Sequence, residues 1–277
     1  MHTLLEILRK SEELLIKQGI PEARLDAEHL IADTLGCQRM EIYLQFDRPM
    51  EEEVLSQLRP RLARRARREP LSYILEHQPF RNLHIQCGPG ALIPRPETEE
   101  LIEKVVAHVS IPPQKILDLG TGSGAIALSL KSTFPKAEVI GVDRSREAIS
   151  LAQKNGDSLN LAVSWLQSSW FDHIEGKFDL IISNPPYLAE DEWTSSQPEV
   201  KDHEPKEALV SDKQGFADLD QILQQARNFL NDPGLIALET GINHREKLQA
   251  SAKDSGYSDY WVEKDFSDRD RFFFARI

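Results

Sequence analysis

The chain has 277 residues, 40% hydrophobic and 28% charged, with a formal net charge of -12. That is enough apolar material for one large or two modest cores, and it excludes a low-complexity or disordered chain. The acidic balance disfavours unguided binding to a nucleic-acid backbone, although a local basic patch is compatible with it.

The first ten residues mix Glu6, Arg9 and Lys10 with leucines, which predicts an amphipathic helix rather than an export leader. Leu4, Leu5, Leu8, Leu15 and Ile16 form one apolar stripe that Gly19-Ile20-Pro21 ends. Ala23, Ala27, Leu30, Ile31 and Leu35 form a second, stopped at Gly36. Val54, Leu55, Leu58 and Leu62 form a third, which Pro60 is expected to kink or split. A small helical domain is therefore expected over residues 1–78. It closes on Arg59, Arg61, Arg64, Arg65, Arg67 and Arg68. Two readings of that cluster stay open: a contact for RNA or an acidic partner, and a solvated face balancing Glu51, Glu52 and Glu53.

The only cysteines, Cys37 and Cys87, lack metal-ligand spacing, so no metal site and no disulfide framework are expected. No segment approaches the length needed to span a bilayer. A reducing, cytoplasmic setting without membrane contact is the simplest expectation.

Phe80, Leu83, Ile85 and Ala91, Leu92, Ile93 flank Gly88-Pro89-Gly90. This predicts a β-hairpin linker over residues 79–96, turning at the glycines. From 97 onward helices and strands alternate. Helices are expected over 97–109, 124–134, 145–155, 216–230 and 243–254. Strands are expected over 115–119, 137–142, 161–167, 178–183, 234–239, 257–263 and 271–276. Such alternation implies a mostly parallel sheet covered on both faces. The stretch 188–214 is polar, contains prolines and shows no period. It reads as a long functional loop.

Asp118-Leu119-Gly120-Thr121-Gly122-Ser123-Gly124 lies between a predicted strand and a predicted helix. Its Gly-x-Gly-x-Gly spacing differs from the dinucleotide fingerprint, whose third glycine falls one residue later. The next strand ends at Asp143, where an acid can accept both hydroxyls of an unphosphorylated ribose. The ligand is then a nucleoside cofactor, either a dinucleotide or S-adenosylmethionine. Trp170 stands in a polar loop on the same edge. It reads equally as an adenine contact or as a core residue.

The apolar run 178–183 leads into Asn184-Pro185-Pro186-Tyr187. Two prolines leave backbone carbonyls without N–H groups of their own. With the Asn184 oxygen they can accept both hydrogens of an –NH2 group, and Tyr187 offers a flat wall. The arrangement suits a planar amine or amide.

Together these residues resemble a known family. The glycine segment is similar to the first cofactor motif of seven-strand S-adenosylmethionine-dependent methyltransferases. The Asn184–Tyr187 tetrapeptide is similar to the catalytic motif of those that methylate a nitrogen conjugated to a π-system. Leu92-Ile93-Pro94-Arg95-Pro96-Glu97-Thr98-Glu99 resembles the signature of the HemK/PrmC family, protein-(glutamine-N5) methyltransferases acting on peptide chain release factors. Glu69-Pro70-Leu71-Ser72-Tyr73-Ile74, Glu204-Pro205 with Ala208-Leu209, and Asp268-Arg269-Asp270-Arg271 match as well. The chain departs from the family pattern at Glu76-His77-Gln78-Pro79, at Ile242-Asn243-His244 and at Gly156.

The resemblance implies an α/β fold: a seven-strand Rossmann-like methyltransferase domain over 97–277 behind an N-terminal helical bundle that recognises the protein substrate. It implies S-adenosyl-L-methionine held by Gly120, Thr121, Gly122, Ser123, Gly124, Asp143, Trp170 and Asn184. It places the substrate glutamine, from a Gly-Gly-Gln tripeptide of class 1 release factors, against Asn184, Pro185, Pro186 and Tyr187. Asn184, Pro185 and Tyr187 are the expected catalytic residues. No obligatory nucleic acid is expected, and nothing calls for more than one copy of the chain. The rival reading is a methyltransferase of exocyclic amino groups in RNA or DNA, since the tetrapeptide suits those groups equally. A non-catalytic scaffold is the third reading, disfavoured by the intact glycine loop and tetrapeptide.

Overall fold

Thr3 starts the first helix. Its hydroxyl accepts from the Glu6 backbone N–H while the Glu6 carboxylate accepts from the Thr3 N–H, a reciprocal cap that satisfies both donors. In the computed structural model, which describes residues 2–277, this helix α1 (Leu4–Lys17) is followed by α2 (Ala23–Leu35), α3 (Glu52–Ala66) and α4 (Leu71–Leu75). Leu8 and Leu15 of α1, Leu30 and Ile31 of α2, and Leu58 of α3 are buried in one apolar cluster. Of the two effects expected of Pro60, a split does not occur: α3 runs through it. Leu55 and Leu58 before it and Leu62 after it are all buried, so packing holds both halves of the helix in place.

The chain forms two compact units, one of Met1–Glu76 with Gln197–His203 and one of His77–Ser196 with Glu204–Ile277. Within the first unit Arg59 keeps the solvated balancing role expected from sequence, exposed and paired with exposed Glu52, while Arg65 and Arg68 turn inward. Arg59 pairs with Glu52, Arg61 with Asp33 and Arg64 with Glu69. Arg65 is buried and reaches Asp26 at 2.6 Å and Glu199 at 2.9 Å. Arg68 meets Glu199 at 2.7 Å. For Arg65 and Arg68, pairing with carboxylates of their own unit offsets the cost of burying charge.

The second unit opens with β1 (His77–Phe80) and β2 (Leu83–Gln86), antiparallel with Phe80 opposite Leu83. The hairpin therefore turns at Arg81-Asn82, not at Gly88-Pro89-Gly90 as expected. Arg81 takes a left-handed φ of 51°, and its N–H donates to the Glu99 carboxylate at 2.9 Å. A distant side chain thus fixes a tight turn that the local residues do not advertise.

Then come α5 (Pro96–His108), β3 (Lys115–Leu119), α6 (Ala125–Thr133), β4 (Glu138–Asp143), α7 (Arg146–Leu159), β5 (Ser164–Gln167) and β6 (Phe178–Ser183). The stretch expected as a loop carries short helices instead: α8 (Glu190–Thr194), α9 (Pro198–His203), a 3-10 turn at Lys206–Ala208 and α10 (Asp212–Gly215). The chain ends with α11 (Ala217–Ala226), β7 (Leu230–Glu239), α12 (Arg245–Asp254), β8 (Asp259–Lys264) and β9 (Asp270–Arg276).

The seven-strand sheet has the order β5-β4-β3-β6-β7-β9-β8, parallel from β5 to β7 and antiparallel at both edges of β9. This is the mostly parallel sheet the alternation predicts. Period-two alternation sends Ile116 to one face with Leu101 of α5 and Ile126 of α6, and Leu117 to the other with Leu219 of α11 and Leu248 of α12. The sheet is thus apolar on both sides, as a doubly covered parallel sheet requires. From β3 the chain moves outward through β4 and β5, then returns to the opposite side of β3 with β6. The carboxyl ends of β3 and β6 therefore flank a switch point, where open α/β sheets leave a crevice.

Candidate active site

Strand register assembles the site. Leu119 pairs with both Val142 and Ser183, Val142 with Leu166, and Ser183 with Leu238. One residue beyond that row stand Gln167, Asp143, Gly120, Asn184 and Glu239, each at the carboxyl end of its strand or just past it. Five adjacent strands thus present their next residue at one edge.

A cavity of about 590 Å³ opens there, within the range of small-ligand sites. Its wall includes Gly120 to Ser123, Asp143 and Trp170, and Asn184 with Pro186. Gly124 is instead the residue that caps α6, in a left-handed conformation with φ 84°. Gly120 also has a positive φ, 68°, and a Cβ there would stand 3.4 Å from the Trp170 ring. The indole thus lies against backbone that has no side chain.

Asp143 is oriented by two backbone donors, Gly122 N–H and Ser145 N–H, each at 2.9 Å. Burial raises its carboxyl above the ordinary range and those donors oppose the rise. Asp118, at the end of β3, is fully buried. Its Oδ2 accepts from the Thr121 hydroxyl at 2.5 Å and the Ala127 N–H at 3.1 Å, which ties the glycine loop to α6. Its Oδ1 has no hydrogen-bond partner among the described residues. Burial pushes the Asp118 carboxyl up to about 7.

Asn184 and Pro186 reach the cavity wall, but Pro185 is buried and Tyr187 is not part of that wall. The Tyr187 hydroxyl donates to Glu239 Oε1 at 2.9 Å, and the Arg271 guanidinium lies 5.7 Å from its ring centre. Burial and then the Glu239 charge hold the phenol well above its ordinary range. Glu239 is itself buried and its carboxyl is raised, mainly by burial.

Three residues of this region escaped the sequence reading. Thr98 lines the cavity and donates its hydroxyl hydrogen to Glu239 Oε2 at 2.7 Å. The same hydroxyl accepts from Asn184 Nδ2 at 3.0 Å. Glu204, also buried, accepts from the Ile93 N–H at 3.2 Å and pairs with Arg95, fixing the cavity-lining segment around Ile93. An acid that ends the apolar run Leu235-Ile236-Ala237-Leu238 was the available signal for Glu239. Thr98 and Glu204 stood inside motifs already singled out, without an assigned role.

This set fits a nucleoside cofactor. Asp143 offers a fixed acceptor for ribose hydroxyls, Trp170 a flat surface for a base, and the glycine loop close approach to backbone. Asn184 adds one oriented amide beside that ligand's place.

Two family models match. The description of one is a methyltransferase domain, over residues 112–265, and of the other a PrmC N-terminal domain, over residues 6–75. The release factor glutamine methyltransferase of Geobacter sulfurreducens is 36% identical over 276 residues, covering 99% of this chain and 97% of the relative. That of Salmonella typhimurium is 39% identical over 250 residues, covering 90% of each chain. Among solved structures, a methyltransferase from Pyrococcus furiosus superposes with a TM-score of 0.53 at 22% identity, over 71% of this chain and 89% of the other. The 16S rRNA N2 G1207 methyltransferase of T. thermophilus, solved with AdoMet and guanosine, gives 0.53 at 19% identity, over 72% and 49%. At such identity these two speak for the fold. On nearly full-length similarity in both units, the chain belongs to the release factor glutamine methyltransferase family.

Proposed function

We propose that the protein uses S-adenosylmethionine to methylate the side-chain nitrogen (N5) of a glutamine in peptide chain release factors, at the Gly-Gly-Gln tripeptide of class 1 factors. The observation that carries this is Asn184, held by its own Nδ2 on Thr98 with its oxygen left for a ligand, on the wall that also holds the glycine loop and Asp143.

An amide nitrogen is a poor nucleophile because its lone pair is delocalised into the carbonyl. S-adenosylmethionine held in the cavity would supply an electrophilic methyl group, its methyl–sulfur bond breaking to leave a neutral thioether. The protein's work is to place the nitrogen against it. Asn184 Oδ1 accepts one hydrogen of the substrate –NH2, and the carbonyl of Pro185, buried and off the cavity wall in the free protein, accepts the other once bound substrate reaches it. Two acceptors fix the nitrogen's direction and favour the positive charge that grows on it as the N–C bond forms. One of the two hydrogens then leaves as a proton to solvent. Positioning of this kind supplies up to roughly 7–11 kcal/mol of barrier reduction. Asp143 takes the ribose hydroxyls, Trp170 flanks the base, and Tyr187 acts on Asn184's surroundings through Glu239 rather than by stacking on substrate.

We read the acting species as a monomer. No helix among the described residues is long and apolar enough to cross a membrane, and we place the reaction in the cytoplasm, with the helical unit as the part that recognises the release factor.

The test is incubation with labelled cofactor and purified release factor, followed by mass-spectrometric mapping. One methyl on the tripeptide glutamine is expected. Modification at another residue, or of RNA instead, overturns the assignment. Asn184→Ala is expected to bind cofactor normally and lose at least about a hundredfold in single-turnover rate.

A further inference from the structure

Asn184 has two chemically opposite ends, and only its oxygen can receive a substrate N–H. The structure shows what chooses between them. Glu239 ends β7 beside Asn184 and is 1% exposed. A carboxylate has no hydrogen to give. The single hydrogen of the Thr98 hydroxyl therefore goes to Glu239 Oε2, and only lone pairs remain on Thr98 Oγ1 for Asn184. Asn184 answers with Nδ2, at 3.0 Å. Its oxygen is then the end left for the cavity.

We propose that Thr98 and a negatively charged Glu239 are positioning residues, a relay that sets the Asn184 amide with its oxygen toward substrate. This rests on the reading that Asn184 Oδ1 accepts a substrate amide hydrogen. A proton on Glu239 Oε2 reverses the chain of donors. Glu239 then donates to Thr98, Thr98 donates to Asn184, and the amide turns over to present its –NH2 to the cavity. Donor then faces donor, and the substrate nitrogen is no longer held.

The groups that face Glu239 are Thr98 and Glu97 on α5, Tyr187 after β6, and Arg271 on β9. Tyr187 and Thr98 each donate a hydrogen bond and Arg271 adds a cation, which all favour the charged carboxylate. Burial and Glu97 oppose it, and burial outweighs the rest. Loss of orientation on acidification is thus expected to begin above the ordinary glutamate range.

The experiment compares wild type, Thr98→Val and Thr98→Ser as full-length proteins, with S-adenosylmethionine and purified release factor. Valine keeps the side chain's shape and breaks the relay, while serine keeps the hydroxyl. In Thr98→Val, kcat is expected to fall about tenfold to hundredfold, as for an outer group that orients a reacting one. Cofactor affinity is expected to stay within about twofold, because the fold and the ribose acceptor are untouched. The acid limb of the wild-type kcat profile is expected to vanish in Thr98→Val and to return with the rate in Thr98→Ser. A second readout needs no turnover: the side-chain 15N resonance of Asn184 should follow the Glu239 titration in wild type and Thr98→Ser, and not in Thr98→Val. Wild-type kcat in Thr98→Val, equal losses in both variants, or an Asn184 resonance that titrates without the hydroxyl each overturn the relay. If the resonance behaves as expected while the release factor stays unmodified, the relay stands and the substrate assignment falls.

Discussion

The Ser183 hydroxyl donates to the Leu119 carbonyl at 2.6 Å, between register partners on the two strands that flank the switch point. The next residues in each chain are Asn184 and Gly120, so this buried bond ties the start of the tetrapeptide to the start of the glycine loop. Ser183→Ala removes the donor and leaves a buried carbonyl one bond short. Unfolding free energy is expected to fall by about 1–2 kcal/mol. Urea denaturation with an unchanged m-value checks it, and an unchanged midpoint would mean that the hydroxyl is dispensable.

Much of the second unit was legible because its signals are local. Apolar runs at 115–119 and 178–183, each stopped by Gly or Asn-Pro, mark strand ends, and strand ends in a parallel sheet gather at one edge. That logic gathers Gly120, Asp143 and Asn184 at one edge from sequence alone. What failed depended on partners remote in sequence. The turn at Arg81-Asn82 is held by Glu99, so the nearby Gly-Pro-Gly looked like the better turn. Arg65 pairs with Asp26 across 39 residues, and periodicity alone shows a charged face where there is a buried pair. The Thr98–Glu239 bond joins positions 141 residues apart, and no spacing rule reaches that far. The bond from Tyr187 to the Glu239 carboxylate is equally invisible in the local motif.

Asp143 has two duties that a pair of substitutions separates. Its carboxylate accepts from Gly122 and Ser145, which shapes the loop, and its remaining lone pairs are available for ribose hydroxyls. Asp143→Asn keeps the size but loses the charge, while Asp143→Ala loses both acceptors. Cofactor affinity is expected to drop about tenfold in the first and by up to about a hundredfold in the second, the range for charge-assisted hydrogen bonds. At saturating cofactor kcat should change little, since Asp143 touches no reacting atom. Titration calorimetry and saturation kinetics check this, and an affinity unaffected by alanine would move the ribose elsewhere.

Asp118 makes stability depend on pH. Its folded-state value of about 7 lies above the ordinary 3.8 because the carboxyl is buried. Between those values the native state binds the proton more tightly than the unfolded chain does. Stability from this group is therefore fully present below about pH 4 and is lost as pH rises to about 7. The gap corresponds to about 4 kcal/mol. Asp118→Asn has no proton to lose, so its stability curve should be flatter across that window, whatever its absolute level. Chemical denaturation at half-unit pH intervals gives the two slopes. Identical slopes in wild type and variant would mean that Asp118 is already ionised in the folded protein below pH 4.

Gly215 is the position where a single methyl group should disturb chemistry without entering the cavity. It has φ +77°, and a Cβ built there lies 2.1 Å from the Tyr187 carbonyl oxygen and 2.7 Å from the Tyr187 carbonyl carbon. Both are backbone atoms, so no side-chain rotation relieves the clash. The Tyr187-Leu188 segment must move, although its N–H groups bond the Leu209 carbonyl at 3.1 and 2.9 Å. Movement there draws the Tyr187 hydroxyl off Glu239. Gly215→Ala is expected to cost about 2–4 kcal/mol, combining left-handed strain with overpacking. Gly176 separates the two contributions: its φ is +85° but a Cβ there meets nothing within 4 Å. Gly176→Ala should therefore cost only about 1 kcal/mol, the strain alone. Cofactor affinity should survive in both variants, while kcat falls in Gly215→Ala only. Equal stability losses in the two variants, or a normal kcat with alanine at 215, would show that the close approach to Tyr187 does not hold the tetrapeptide in place.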